Sequence, residues 1–179
     1  TCKIAANNYD AVILGHSQFE RIPLSADRRA AMLEEQVDRI SNAVSELKEE
    51  QGAKWGIKDM ERQRANLEAQ ILELRNDAKK DDVLDFEQLG IDALFVDEAH
   101  VFKNLSIFTK IRNVAGIATN GSQRAMDMFQ KIQYIQEHTG GRNVFLATGT
   151  PISNTMCEMY VMQLYLQSQK LREKGIEHF

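Results

Sequence analysis

At 179 residues, with 43% hydrophobic and 27% charged side chains, the chain has enough apolar material for one domain with a sizeable core, or a core plus an appendage. A net charge of −4 excludes a globally basic nucleic-acid binder, so any such surface must be a local patch. Cys2 and Cys157 match no metal-ligand spacing and read as reduced thiols of a cytoplasmic protein, and no stretch is long and apolar enough to span a membrane.

In chain order, residues 9–15 (Tyr-Asp-Ala-Val-Ile-Leu-Gly) read as a first strand, followed by the polar segment 16–21. From about residue 25 the character changes. Leu33, Val37, Ile40, Val44 and Leu47 recur at alternating spacings of four and three; after Gly52 and Gly56 the pattern restarts with Ile57, Met60, Arg64, Leu67, Ile71, Leu74 and Ala78. This a/d stripe, broken by Arg64, predicts two helices joined by a Gly-containing turn, an antiparallel coiled-coil hairpin over residues 25–82. Glu35 and Arg39 form a supportive i,i+4 pair.

Residues 91–96 read as the second strand and 143–147 as the third, with a loop-like stretch over 102–121 after the former. Ser122 caps a helix whose Met126, Phe129, Ile132 and Ile135 share one side and which ends at Gly140 and Gly141. A last helix starts near Ser153 or Asn154 and carries Met159, Met162 and Leu166. Strands alternating with helices predict an α/β fold with a parallel sheet and right-handed crossovers. Residues 1–24 and 83–179 would form that part, with 25–82 inserted between the first and second strands.

Two segments carry the chemistry. Val96-Asp97-Glu98-Ala99-His100 and Ala147-Thr148-Gly149-Thr150-Pro151-Ile152-Ser153-Asn154 each stand where a short apolar run gives way to polar residues. The carboxyl ends of parallel strands are where an open α/β sheet places its ligands. Two adjacent acids there suit nucleotide chemistry: one carboxylate holds Mg²⁺, usually through water, and the other orients or deprotonates an attacking water. Direct metal ligation by Asp97, Glu98 and His100 competes poorly, because the chain has four His and neither HExxH nor CxxC.

The order and wording of these segments resemble motifs II and III of superfamily-2 helicases and translocases, specifically the Swi/Snf-like branch with its DEAH and TGTP motifs. The resemblance covers residues 9–25 and 86–179 and leaves the hairpin outside. It implies a partial RecA-like first lobe. It also implies that Asp97 holds the Mg²⁺ bridging the ATP phosphates, that Glu98 activates the hydrolytic water, and that His100 links the nucleotide site to motif III. Thr148, Gly149 and Thr150 would couple nucleotide state to DNA grip. Ser17 and Gln18 stand where motif Ib meets the nucleic-acid backbone. Lys103-Asn104 resembles the Lys-Asn after DEAH, and Lys103, with Lys110, Arg112 and Arg124, would contact phosphates. The wording of 147–166 and of the closing residues 175–179 looks most like large helicases of phages, plasmids and conjugative elements, which often share a polypeptide with an adenine-specific DNA methyltransferase.

The resemblance thus implies ATP and Mg²⁺ as cofactors and double-stranded DNA as partner. No G-x-x-x-x-G-K-[ST] occurs in the chain, so the triphosphate lacks its cradle of backbone amides, and no second RecA-like lobe is present. With Thr1 rather than Met at its start, the chain reads as a segment of something longer, and the resemblance implies a bacterial, phage or mobile-element protein. By itself it is expected to hydrolyse ATP negligibly. Two other readings remain open: a vestigial motor lobe whose hairpin docks a protein partner, and an ATPase switch that does not translocate.

Overall fold

The computed structural model describes residues 2–6, 9–49, 54–77, 84–105 and 121–176. The chain divides into two compact units, Thr1–Ile22 with Phe86–Phe179, and Pro23–Asp85.

The first unit contains α1 (Cys2–Ala6), the single turn α2 (His16–Phe19), a 3-10 turn (Phe86–Leu89), strand β1 (Leu94–Val96) and a second 3-10 turn (Ala99–Phe102). Helix α5 (Gln123–Thr139), strand β2 (Val144–Leu146) and helix α6 (Met156–Glu173) follow. The labels α3 and α4 fall to the second unit. Strands β1 and β2 pair in parallel, Leu94 opposite Val144, Phe95 opposite Phe145 and Val96 opposite Leu146. The described part is therefore mostly helical, with one small parallel sheet.

The expected strand at 9–15 does not form. These residues join no ladder, and Ile13 is 98% exposed. An apolar run becomes a strand only where a neighbour offers N–H and C=O groups, and the two-stranded sheet leaves this segment unpaired.

Local chemistry sets the ends of α5. The Ser122 side chain accepts from Ala125 N, and Gly140 closes the helix at φ 64°, ψ 42°, a left-handed position that glycine reaches without strain. The helix buries Ala125, Met128, Ile132 and Ile135. Helix α6 starts at Met156, two or three residues beyond the expected start. It breaks at Gln167 (φ −142°, ψ 29°), and Gln136 Nε2 donates to the carbonyls of Tyr165 and Leu166 at 2.9 and 3.3 Å. The kink thereby leaves those acceptors satisfied. Tyr165, 1% exposed, sets its hydroxyl 3.0 Å from Phe102 O and 2.9 Å from Ala125 O, tying α6 to the turn after β1 and to α5. Burial raises its phenol well above the ordinary value, so it remains a donor.

In the second unit, α3 (Ala26–Glu49) and α4 (Lys54–Asp77) run antiparallel, since Glu34 pairs with Arg75 and Lys48 with Glu61. Ala30, Leu33 and Ile71 form the buried seam, flanked by Val37, Leu67 and Leu74. Arg64, the polar break in the stripe, sets its Nε 3.4 Å from Glu68 Oε1 on its own helix. Gly56, expected in the turn, lies inside α4; one glycine within a helix costs only about 1 kcal/mol. The expected turn residue Gly52 and the stripe residue Ala78 lie outside the described residues. Among the described residues, no helix is long and apolar enough to cross a membrane.

Candidate functional site

The parallel register brings the two sequence segments together. Beyond the strands, Ala147 N donates to Val96 O at 2.8 Å and Ala99 N to Ala147 O at 2.9 Å. The ladder thus carries past the ends of β1 and β2 and sets Asp97 and Glu98 beside Ala147 and Thr148.

Glu98 adopts φ 50°, ψ 43°, a left-handed conformation that costs a non-glycine residue roughly 1–2 kcal/mol. The bond on Ala99 and that of Val101 N to Glu98 O, 3.2 Å, hold it there. His100 Nδ1 lies 3.0 Å from Glu98 Oε2 and 3.4 Å from Thr148 Oγ1. One nitrogen serves both neighbours. Carrying its hydrogen it donates to the carboxylate; without it, it accepts from the hydroxyl. Thr148 Oγ1 also accepts from Thr150 N at 3.1 Å.

Asp97 Oδ1 accepts from Glu98 N at 3.0 Å, and Asp97 O accepts from His16 Nε2 at 3.0 Å. His16 packs edge-on against Phe102, ring centroids 5.2 Å apart, so α2 is anchored directly to the acidic segment. Sequence reasoning gave His16 no role, since nothing local marks a contact 81 residues away. Both carboxylates are exposed. Among the described residues, no group of three or more His, Cys, Asp or Glu side chains could cage a metal. Two exposed acids suit Mg²⁺, which keeps several waters and takes one or two carboxylates along with phosphate oxygens.

Ser17 and Gln18 are exposed on α2, and Gln18 Oε1 accepts from Gly15 N at 3.1 Å. Lys103 is turned inward instead. Its Nζ donates to Glu158 Oε2 at 3.1 Å and to Ser153 Oγ at 2.8 Å, with its side chain 11% exposed. Arg124 pairs with Glu20 and lies 5.3 Å from the Phe102 ring centroid. Lys110 and Arg112 lie outside the described residues.

Glu158 was not singled out in the sequence, although Thr155-Met156-Cys157-Glu158 has the T-x-x-E form of a capping box. Its carboxylate reaches past the cap, accepting from Ser153 N and Asn154 N and from Asn154 Nδ2. The Ser153 amide, then that of Asn154 and the Lys103 ammonium, pull its pKa down to about 2 against partial desolvation.

A family model described as "probable helicase domain" matches residues 1–179. The chain belongs to that family. "Defense against restriction protein B" of Escherichia phage P1 is 26% identical over 173 residues, which cover 96% of this chain and 8% of that protein. The chain thus spans a small part of that relative's length. No solved structure matches. Membership of that family points to a helicase-related function.

Proposed function

We propose that this chain is the part of an ATP-dependent, Swi/Snf-like DNA translocase or helicase that carries its acidic and coupling motifs, in a partial RecA-like lobe. It would work within a longer polypeptide supplying a phosphate-binding Gly-Lys-[Ser/Thr] loop and a second lobe. A DNA methyltransferase domain on the same polypeptide, and a place in the bacterial cytoplasm, belong to the same proposal.

The observation that carries this reading is His100 Nδ1 standing within 3.0 Å of Glu98 and 3.4 Å of Thr148, which joins the two motifs at the ends of paired strands. In this reading Asp97 would hold the Mg²⁺, which would supply charge for the nucleotide phosphates, and Glu98 would serve as general base toward the attacking water. His100 passes between its two partners as the charge on Glu98 changes. Thr148, Gly149 and Thr150 relay that change, and Ser17 and Gln18 face the DNA backbone. A Cβ on Gly149 would meet nothing within 4 Å among the described residues, so none of them crowds glycine into that position. A close approach by a ligand is a use it can serve.

The test is ATP hydrolysis by the parent polypeptide with and without double-stranded DNA, beside Glu98→Gln. The expected result is DNA-stimulated turnover that Glu98→Gln lowers by about a hundredfold or more while nucleotide still binds. A folded parent with no turnover overturns the reading. The isolated chain is expected to show negligible turnover.

A further inference from the structure

The turn after β1 and the loop after β2 meet twice. The first meeting is His100 with Thr148, at the strand ends. The second lies farther along both segments, where Lys103 meets Ser153 and Glu158. Lys103 sits on a firm platform. Its amide donates to His100 O at 3.3 Å, and Phe102 beside it is 1% exposed with its carbonyl facing the Tyr165 hydroxyl. Asn104, next along, accepts from Ser122 N at 2.8 Å. Glu158 sits in the first turn of α6 and holds the two amides that end the 148–154 segment.

The charges of Lys103 and Glu158 face each other with side-chain exposures of 11% and 14%. A pair so withdrawn from water is strongly disturbed when one partner is removed. An ammonium that donates to a carboxylate and a hydroxyl has little left to offer a phosphate.

We propose that Lys103 and Glu158 form a positioning latch that fixes the 148–154 segment against the turn following Asp97 and Glu98, and that Lys103 does not contact nucleic-acid phosphate. The latch deepens the translocase reading and rests on it for its use, because it would keep the coupling loop in register with the acids whichever proton state His100 takes.

Two measurements on the full chain test it. The first is hydrogen exchange at the Ser153 and Asn154 amides, with Ile132 in α5 as folding control. Glu158→Gln should speed exchange at both amides roughly tenfold and Lys103→Met severalfold, while Lys103→Arg stays near wild type. The double variant Lys103→Met with Glu158→Gln should exceed Glu158→Gln little, because the two act as one unit. If Glu158→Gln also unprotects Ile132, Lys103→Met decides alone, since it leaves the carboxylate on both amides. The second is double-stranded DNA binding across a salt series. A phosphate-contacting lysine contributes about 0.9 to the slope of log K against log salt, and Lys103→Met should leave that slope unchanged. Wild-type exchange at Ser153 and Asn154 in Lys103→Met, or a slope shallower by about 0.9, overturns the latch. A wild-type chain that binds no DNA would count against the nucleic-acid reading, while the exchange result still decides the latch.

Discussion

Lys131 lies in the middle of α5 with no exposed surface, and its ammonium donates to Phe19 O at 2.9 Å and Asp127 Oδ2 at 2.7 Å. The Phe19 and Phe86 rings stand 4.6 and 5.8 Å away. Desolvation of the charge opposes these partners, and burial lowers the ammonium below its ordinary 10.5. The unfolded chain therefore binds more protons at this residue than the folded chain, and its contribution to stability rises with pH between the lowered value and 10.5. Phe19 O also accepts from Ile22 N, and Asp127 reaches water, so losing the charge orphans neither. Lys131→Met should thus stay within about 1 kcal/mol of wild type and abolish the rise with pH. Lys131→Ala, which empties the space of the stem, should cost about 2–4 kcal/mol. Urea midpoints from pH 7 to 10 check both, and a Met variant as weak as the Ala variant would mean that the ion pair outweighs packing. The sequence displays the i,i+4 pair of Asp127 and Lys131. Its burial depends on Phe19 and Phe86, which arrive from distant parts of the chain.

Elements were legible where their ends are fixed by neighbours in sequence. Ser122 and Gly140 bound α5 because a hydroxyl satisfies an orphan amide and a glycine accepts positive φ. Both are decided within a few residues. Ser122→Ala and Gly140→Ala should each cost about 1 kcal/mol, read as lower thermal midpoints. No shift in either would mean that packing alone sets the helix ends. The strand expected at 9–15 failed for the opposite reason, since a ladder needs a partner that the run itself does not specify. The alternation of strands with helices, in contrast, predicted the parallel pairing of β1 with β2 that brings the two motif segments side by side. The role of Glu158 is not legible in sequence, because a T-x-x-E pattern predicts bonds to its own cap. Here the carboxylate reaches instead to two loop amides and to Lys103, 55 residues earlier.

At the scale of the whole chain, the division at residues 22/23 and 85/86 raises the question of whether the two units unfold together. The aromatic residues give separate reporters. Trp55, the one tryptophan, lies in the unit 23–85, and all four tyrosines lie in the other. The unit 23–85 buries Leu24, Ala30, Leu33, Ile40, Ala43, Val44 and Ile71, all of them aliphatic and two of them alanine. The other unit buries Phe86, Phe102, Ile132, Ile135 and Tyr165 at 1% exposure or less. Buried apolar surface is the dominant stabilising term, at about 25 cal/mol per Å², so the helical pair should melt first. In a urea titration of the intact chain, Trp55 fluorescence should change at lower denaturant than the tyrosine near-ultraviolet dichroism, since non-coincident probes report more than two states. Glu158→Gln and Lys131→Ala, both in the tyrosine-bearing unit, should then move the tyrosine transition and leave the tryptophan one in place. Coincident transitions that move together would mean that residues 23–85 and the motif-bearing part form a single cooperative structure.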